Sequence, residues 1–131
     1  MNLQTSYLLI YQEVMMANQA LFLGWNRPVK GREEQAMKLW GKTMEYYGKL
    51  QAEGRIESFE PVILTAHGGD LNGFFLIRGE GKNLDEIRRE DDFINFIIEG
   101  DYCLDGFGVI TGFIGEGLET VFNKWSKLVT E

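Results

Sequence analysis

The sequence predicts a single α+β domain, a four-stranded antiparallel sheet with helices packed on it. Three observations point there. Short apolar runs of strand length are separated by longer stretches with helical periodicity, in the order strand, helix, strand, strand, helix, strand over residues 20–113. A chain of 131 residues fits one domain of ordinary size. A hydrophobic content of 44%, with 13% aromatic residues, is enough for a core and excludes a wholly disordered chain. Two prolines and the lack of a serine-rich stretch exclude collagen-like and linker-like chains. No internal repeat is evident.

Residues 3–18 read as an added N-terminal helix, because Leu3, Tyr7, Ile10, Tyr11, Val14 and Met15 recur at steps of three and four. Ala20 to Trp25 is an apolar run of strand length. Arg27-Pro28-Val29-Lys30-Gly31 ends it, since proline fixes φ and disfavours helix at the residue before it. Residues 32–53 form the clearest helix. Ala36, Leu39, Trp40, Thr43, Tyr47 and Leu50 share one face, and Gly54 is a natural stop. Gly41 and Gly48 fall on one side of it, either for close approach of another backbone or simply tolerated at about 1 kcal/mol each.

Arg55 to Ala66 and Leu71 to Gly79 read as strands joined by a tight Gly68-Gly69 turn, where both residues can take φ > 0. Pro61 cannot donate to a ladder and marks an edge or a bulge. Asn83 to Gly100 reads as helical with a break near Asp91. Asn83 with Glu86 resembles a helix-start box, and Asp91 or Asp92 starts a second piece carrying Phe93, Phe96 and Ile97. Tyr102 to Phe113 reads as the last strand, with Cys103 inside it. Leu118, Val121, Phe122, Trp125 and Leu128 then make an added amphipathic helix over 115–129.

Two βαβ halves joined by a hairpin are the split βαβ, or ferredoxin-like, arrangement. Right-handed crossovers place both main helices on one face of the sheet. Such a sheet should alternate apolar and polar residues, and these strands do not. Leu21, Leu23 and Trp25 oppose Ala20, Phe22 and Gly24; Phe75 and Ile77 oppose Phe74 and Leu76; Phe107 and Val109 oppose Ile110. The second face needs cover, from an added helix or from a second copy. At roughly 25 cal/mol per Å² of apolar surface, the driving force for association is strong. The expected assembly is a homodimer through the open sheet face, with the sheets packed face to face.

The pattern resembles the dimeric α/β-barrel superfamily, which includes cofactor-free antibiotic-biosynthesis monooxygenases and YCII-like proteins. The residues carrying the resemblance are Arg89-Glu-Asp-Asp-Phe-Ile-Asn-Phe, similar to the acidic-then-aromatic opening of the late helix in that group, and the strand ending Thr111-Gly-Phe. It covers residues 20–113. It implies fold and dimerisation; activity varies within the group, and fold does not fix chemistry.

A formal charge of −7 argues against phosphate-neutralising nucleic-acid partners. The densest charge run, Asp85 to Asp92, reads as a solvated helix face. Cys103 is the only cysteine, so no intrachain disulfide forms, and it reads as a small packed side chain. The first basic residue is Arg27, unlike a signal peptide, and no window approaches the roughly 18 apolar residues of a membrane span. A cytoplasmic protein is expected.

Motifs for phosphate loops, zinc proteases, CxxC redox pairs and GxSxG nucleophiles are absent. Gly106 and Gly108 give GxG without the third glycine of a dinucleotide fingerprint. One histidine and one cysteine make no zinc site within one chain. No cofactor or metal is expected.

Two clusters stand out. In a two-residue turn, His67 and Asp70 would face each other, and a carboxylate beside an imidazole orients it for proton transfer. The other reading is a turn whose polar side chains bond only locally. The second cluster joins Trp25, Asn26 and Arg27 to Tyr46 and Tyr47, the mixture of aromatic bodies and polar tips that lines a small-ligand pocket. Asn72 accompanies the turn, and Glu60 and Arg78 are placed to pair on neighbouring strands. Two functions remain open. One is a small-molecule-binding or assembly protein. The other is a cofactor-free enzyme, oxygenase-like or YCII-like, using His67 and Asp70.

Overall fold

A computed structural model describes residues 17–130. Strand β1 (Gln19–Trp25) leads through a two-residue strand β2 (Arg27–Pro28) to helix α1 (Glu33–Ala52). Strands β3 (Ser58–Ile63) and β4 (Gly73–Gly79) follow, then helices α2 (Gly81–Arg88) and α3 (Asp91–Cys103). The chain closes with β5 (Leu104–Asp105), β6 (Gly108–Phe113) and α4 (Gly115–Thr130). The main sheet has four strands in the order β3-β4-β1-β6, all antiparallel, and β2 pairs with β5 separately. This is the split βαβ topology expected from the element order. The sheet is open and does not close into a barrel within one chain.

Register sorts the side chains onto two faces. Leu21 lies between Ile77 and Thr111, and Leu23 between Phe75 and Val109. With Trp25 they form the core, covered by Tyr47 and Leu50 of α1, Leu84 and Ile87 of α2 and Phe93 of α3. Each such side chain contributes about 1.5–3 kcal/mol by leaving water. Ala20, Phe22, Phe74, Leu76, Val62 and Ile110 point the other way. Phe22 stacks on Phe74 at 4.9 Å, while Ile110 is 62% exposed.

Helix α1 ends as its sequence implies. Gly54 takes φ +74°, and Arg55 N–H donates to the Leu50 carbonyl at 2.9 Å, closing the last turn. Beyond it, the Arg55 guanidinium grips Glu90 with bonds of 2.9 and 2.7 Å, tying the α1–β3 loop to the α2–α3 junction. That bond holds the Glu90 carboxyl below its ordinary pKa. The pair is about a third exposed, so solvent screening limits it to about 1 kcal/mol. Pro61 lies on the outer strand β3, where its missing N–H leaves no gap in the ladder.

Several boundaries differ from the sequence reading. The helix expected over residues 3–18 lies outside the described residues, apart from Ala17 and Asn18, which are not helical. Helix α2 starts at Gly81, not at an Asn83–Glu86 box. Its first N–H is capped from a distance by Asn18 Oδ1 at 2.8 Å, a partner that local sequence cannot reveal. Helix α3 runs through Cys103, where a strand was expected. Gly100 and Cys103 prolong the buried spacing begun at Phe93, and Cys103 packs with Ala36 and Leu39 of α1. Burial, with Glu99 nearby, raises the Cys103 thiol pKa, so the thiol is a packing group. Gly106 then turns the chain at φ +64° into β6.

Among the described residues, nothing beyond the helix's own backbone lies within 4 Å of a Cβ built on Gly41 or Gly48, so no described segment makes a close approach there. Gly41→Ala and Gly48→Ala should each raise stability by about 0.5–1 kcal/mol in urea unfolding. Gly54→Ala should lower it by about 1 kcal/mol, because of its positive φ. Equal effects at all three positions would contradict this reading of α1.

Candidate functional site

The β1–β4 pair and α1 together build an aromatic wall. Trp25 ends β1, Phe75 lies on β4 beside it, and Trp40 descends from α1. The ring centroids of Trp25 and Trp40 are 6.0 Å apart, those of Trp25 and Phe75 5.5 Å, and those of Trp40 and Phe75 5.1 Å. Two glycines make room for this packing. A Cβ on Gly73 would come within 2.6 Å of the Trp25 indole, and one on Gly100 within 2.9 Å of the Phe107 ring.

Beside this wall lies a cavity of about 210 Å³ between the sheet, α1 and α3. Tyr47, Leu39 and Thr43 line it from α1, Phe96 and Gly100 from α3, and Leu104 and Phe107 from the chain that follows. Met37 and Ile63, 72% and 65% exposed, lie on its rim. Among the described residues, no charged residue lines it. Thr43 Oγ1 donates to the Leu39 carbonyl at 2.7 Å, so this hydroxyl hydrogen is already used. The three wall rings touch one another and leave no slot for a cation between them, so the aromatics act as one apolar surface rather than a cage.

The Tyr46 and Tyr47 hydroxyls are buried without a hydrogen-bond partner among the described residues. Burial, with Glu90 and Asp92 adding negative charge, pushes the Tyr46 pKa up to about 12. Burial first, and Tyr46 second, push the Tyr47 phenol higher still. Burying the Tyr47 ring gains about 2–3 kcal/mol, and an unmet buried hydroxyl costs about 1–3 kcal/mol, so the two nearly cancel.

The residues singled out by sequence do not gather in one place. Trp25 and Tyr47 line the cavity. Asn26 and Asn72 do not; the Asn72 amide donates to Asn26 Oδ1, and Asn72 N–H donates to the Trp25 carbonyl at 2.9 Å, fixing the end of β1. Arg27 is exposed on β2, opposite Asp105. Arg78 donates to Glu60 at 3.2 Å, on the sheet face away from the cavity, as a solvent-facing pair.

His67 and Asp70 do not face each other. The strands stop at Ile63 and restart at Gly73, leaving a loop where a two-residue turn was expected. The pairing Ile63↔Gly73 is one residue out of the register that sets His67 against Asp70. The His67 ring instead closes its own loop. Gly69 N–H donates to Nδ1 at 3.2 Å, which leaves Nε2 as the donor to the Leu71 carbonyl at 2.6 Å. Both residues are exposed, and neither lines the cavity. Among the described residues, no three His, Cys, Asp or Glu side chains gather to hold a metal ion.

Sequence reasoning placed Trp40 and Phe96 on apolar helix faces and Phe107 on a strand face, all as core. The periodicity was the available signal. It cannot show that the packed faces leave a void.

No protein-family profile matches the sequence, and no curated protein matches it. A crystal structure of a dimeric protein with a ferredoxin-like fold and unknown function, from Bacteroides fragilis NCTC 9343, superposes with a TM-score of 0.53 at 8% identity. The match covers 73% of this chain and 96% of that one. The fold is ferredoxin-like. At that identity the likeness shows the fold alone, and not the narrower kinship with antibiotic-biosynthesis monooxygenases or YCII-like proteins. Among the described residues, no helix is long and apolar enough to cross a membrane.

The tyrosine pair sets an alkaline limit. A phenol whose folded pKa lies above its ordinary value near 10 adds stability that is complete below pH 10 and lost as pH rises towards the folded value. Absorbance at 295 nm should show Tyr46 and Tyr47 ionising only at about pH 12 or above, together with loss of the fold. Their ionisation near pH 10 in a folded chain would contradict their burial.

Proposed function

We propose that this chain is a small-molecule-binding protein whose cavity takes a neutral, largely apolar ligand of one or two rings. The observation that carries the reading is the cavity itself, walled by Trp25, Trp40 and Phe75 and free of charged groups. An apolar cavity of about 150 Å³ is enough to hold benzene, so about 210 Å³ suits one ring with substituents or two small fused rings. A carboxylate or phosphate would be buried without a partner, at a cost of several kcal/mol. The protein acts as a homodimer through the open sheet face. The two-sided apolar sheet supports this, as does the dimeric state of the Bacteroides fragilis structure of the same fold. Its lone cysteine, buried and unpaired, suits a reducing compartment such as the cytoplasm.

The ligand reading is tested with nitrobenzene, a neutral ring that quenches indole fluorescence. Trp125→Phe leaves Trp25 and Trp40 as the emitters, both in the cavity wall. Titration should give saturable quenching, with benzoate at least tenfold weaker. Ala36→Leu, which fills part of the cavity, should weaken binding at least tenfold while the circular dichroism stays unchanged. Strictly linear collisional quenching, identical in both variants, would overturn the assignment.

A further inference from the structure

Helix α4 is amphipathic, yet none of its residues is buried. Leu118, Phe122, Trp125, Leu128 and Val129 are 43%, 53%, 56%, 78% and 85% exposed, and together they form one stripe. Phe122 and Trp125 pack edge to face on each other, with ring centroids 5.4 Å apart. A helix of this length draws most of its stability in water from packing its apolar face on something. The same chain carries a second apolar surface, the sheet face with Phe22, Phe74 and Leu76 half-buried and Ile110 62% exposed. The two do not meet within one chain, since the stripe faces solvent.

We propose that α4 of each copy lies on the open sheet face of a second copy, so that the dimer is closed by exchanged helices rather than by sheet packed on sheet. This rests on the homodimer reading and specifies its contact. The dimensions agree. Sixteen helical residues span about 24 Å, and seven strand residues about 23 Å. One helix, about 10 Å across, spans most of the roughly 14 Å between the outer strands of a four-stranded sheet. A twofold axis makes the contact twice. Phe122 and Trp125, each about half exposed, add about half of the 150–250 Å² that an aromatic side chain carries, and with Leu118, Leu128, Val129 and the sheet face each copy buries area of the order of the 800 Å² per partner that stable complexes need.

Charge favours a second copy over a membrane. Within α4, Glu116 and Glu119 balance Lys124 and Lys127, and the whole chain carries −7. A helix lying on an anionic bilayer needs a polar face rich in Lys and Arg.

The wild-type protein should sediment at twice the 15.0 kDa chain mass at micromolar concentration. Phe122→Glu with Trp125→Glu should halve that mass, as should Ile110→Glu, with nitrobenzene binding retained. The contact itself is read by cross-linking on a Cys103→Ser background. A chain carrying both Phe122→Cys and Ile110→Cys should give a covalent dimer with diamide, and neither single cysteine should. A covalent dimer from Ile110→Cys alone means sheet on sheet, and one from Phe122→Cys alone means helix on helix; either overturns the exchange while leaving the dimer standing. A wild-type mass of one chain overturns both.

Discussion

Strand β1 has to be buried on both sides, and the rest of the architecture follows from that. It is an inner strand, hydrogen-bonded to β4 on one edge and to β6 on the other. Leu21, Leu23 and Trp25 draw three helices onto one face. Ala20, buried, and Phe22, half-buried, lie on the other face, away from α1, α2 and α3. A strand polar on one side would have produced a self-sufficient two-layer domain. This one carries apolar side chains on both faces, and α4 carries an exposed apolar stripe of its own. Covering these surfaces with a second copy would gain roughly 25 cal/mol per Å² of apolar area removed from water.

The cavity grows from the same strand. Trp25 sits at the end of β1, and its indole fits only because Gly73 opposite it has no side chain. Trp40 and Phe75 brace that indole, and α3 bends away towards β5 at Cys103. The space left between wall and helices is uncharged and small. Burial holds the Tyr47 phenol that lines it protonated at neutral pH. His67, the residue best suited to proton transfer, is occupied in closing its own loop.

How much of this was legible in the sequence follows a physical line. Periodicity reports which faces are apolar, so the element order, the stripe of α1, the two-sided sheet and the amphipathic C-terminal helix could all be read. So could the stop at Gly54 and the edge position of Pro61, where one residue's backbone decides. Contacts set by distant partners could not. Asn18 caps α2 across the fold, and the β3–β4 register, fixed by the core and not by the Gly68-Gly69 pair, separates His67 from Asp70. Trp25 and Tyr47 were placed at the site by their residue type, but the void beside them is a difference between packed volumes. No single residue encodes that.

The claim on which the account turns is that the exposed stripe and the second sheet face are covered by another copy of the chain. Hydrogen exchange as a function of protein concentration tests it directly. The account predicts that backbone amides of α4 and β6 exchange rapidly at nanomolar concentration and become protected at micromolar concentration, while those of β1 and β4 remain slow throughout. Exchange of α4 and β6 that does not change with concentration, at a constant mass of one chain, would contradict it.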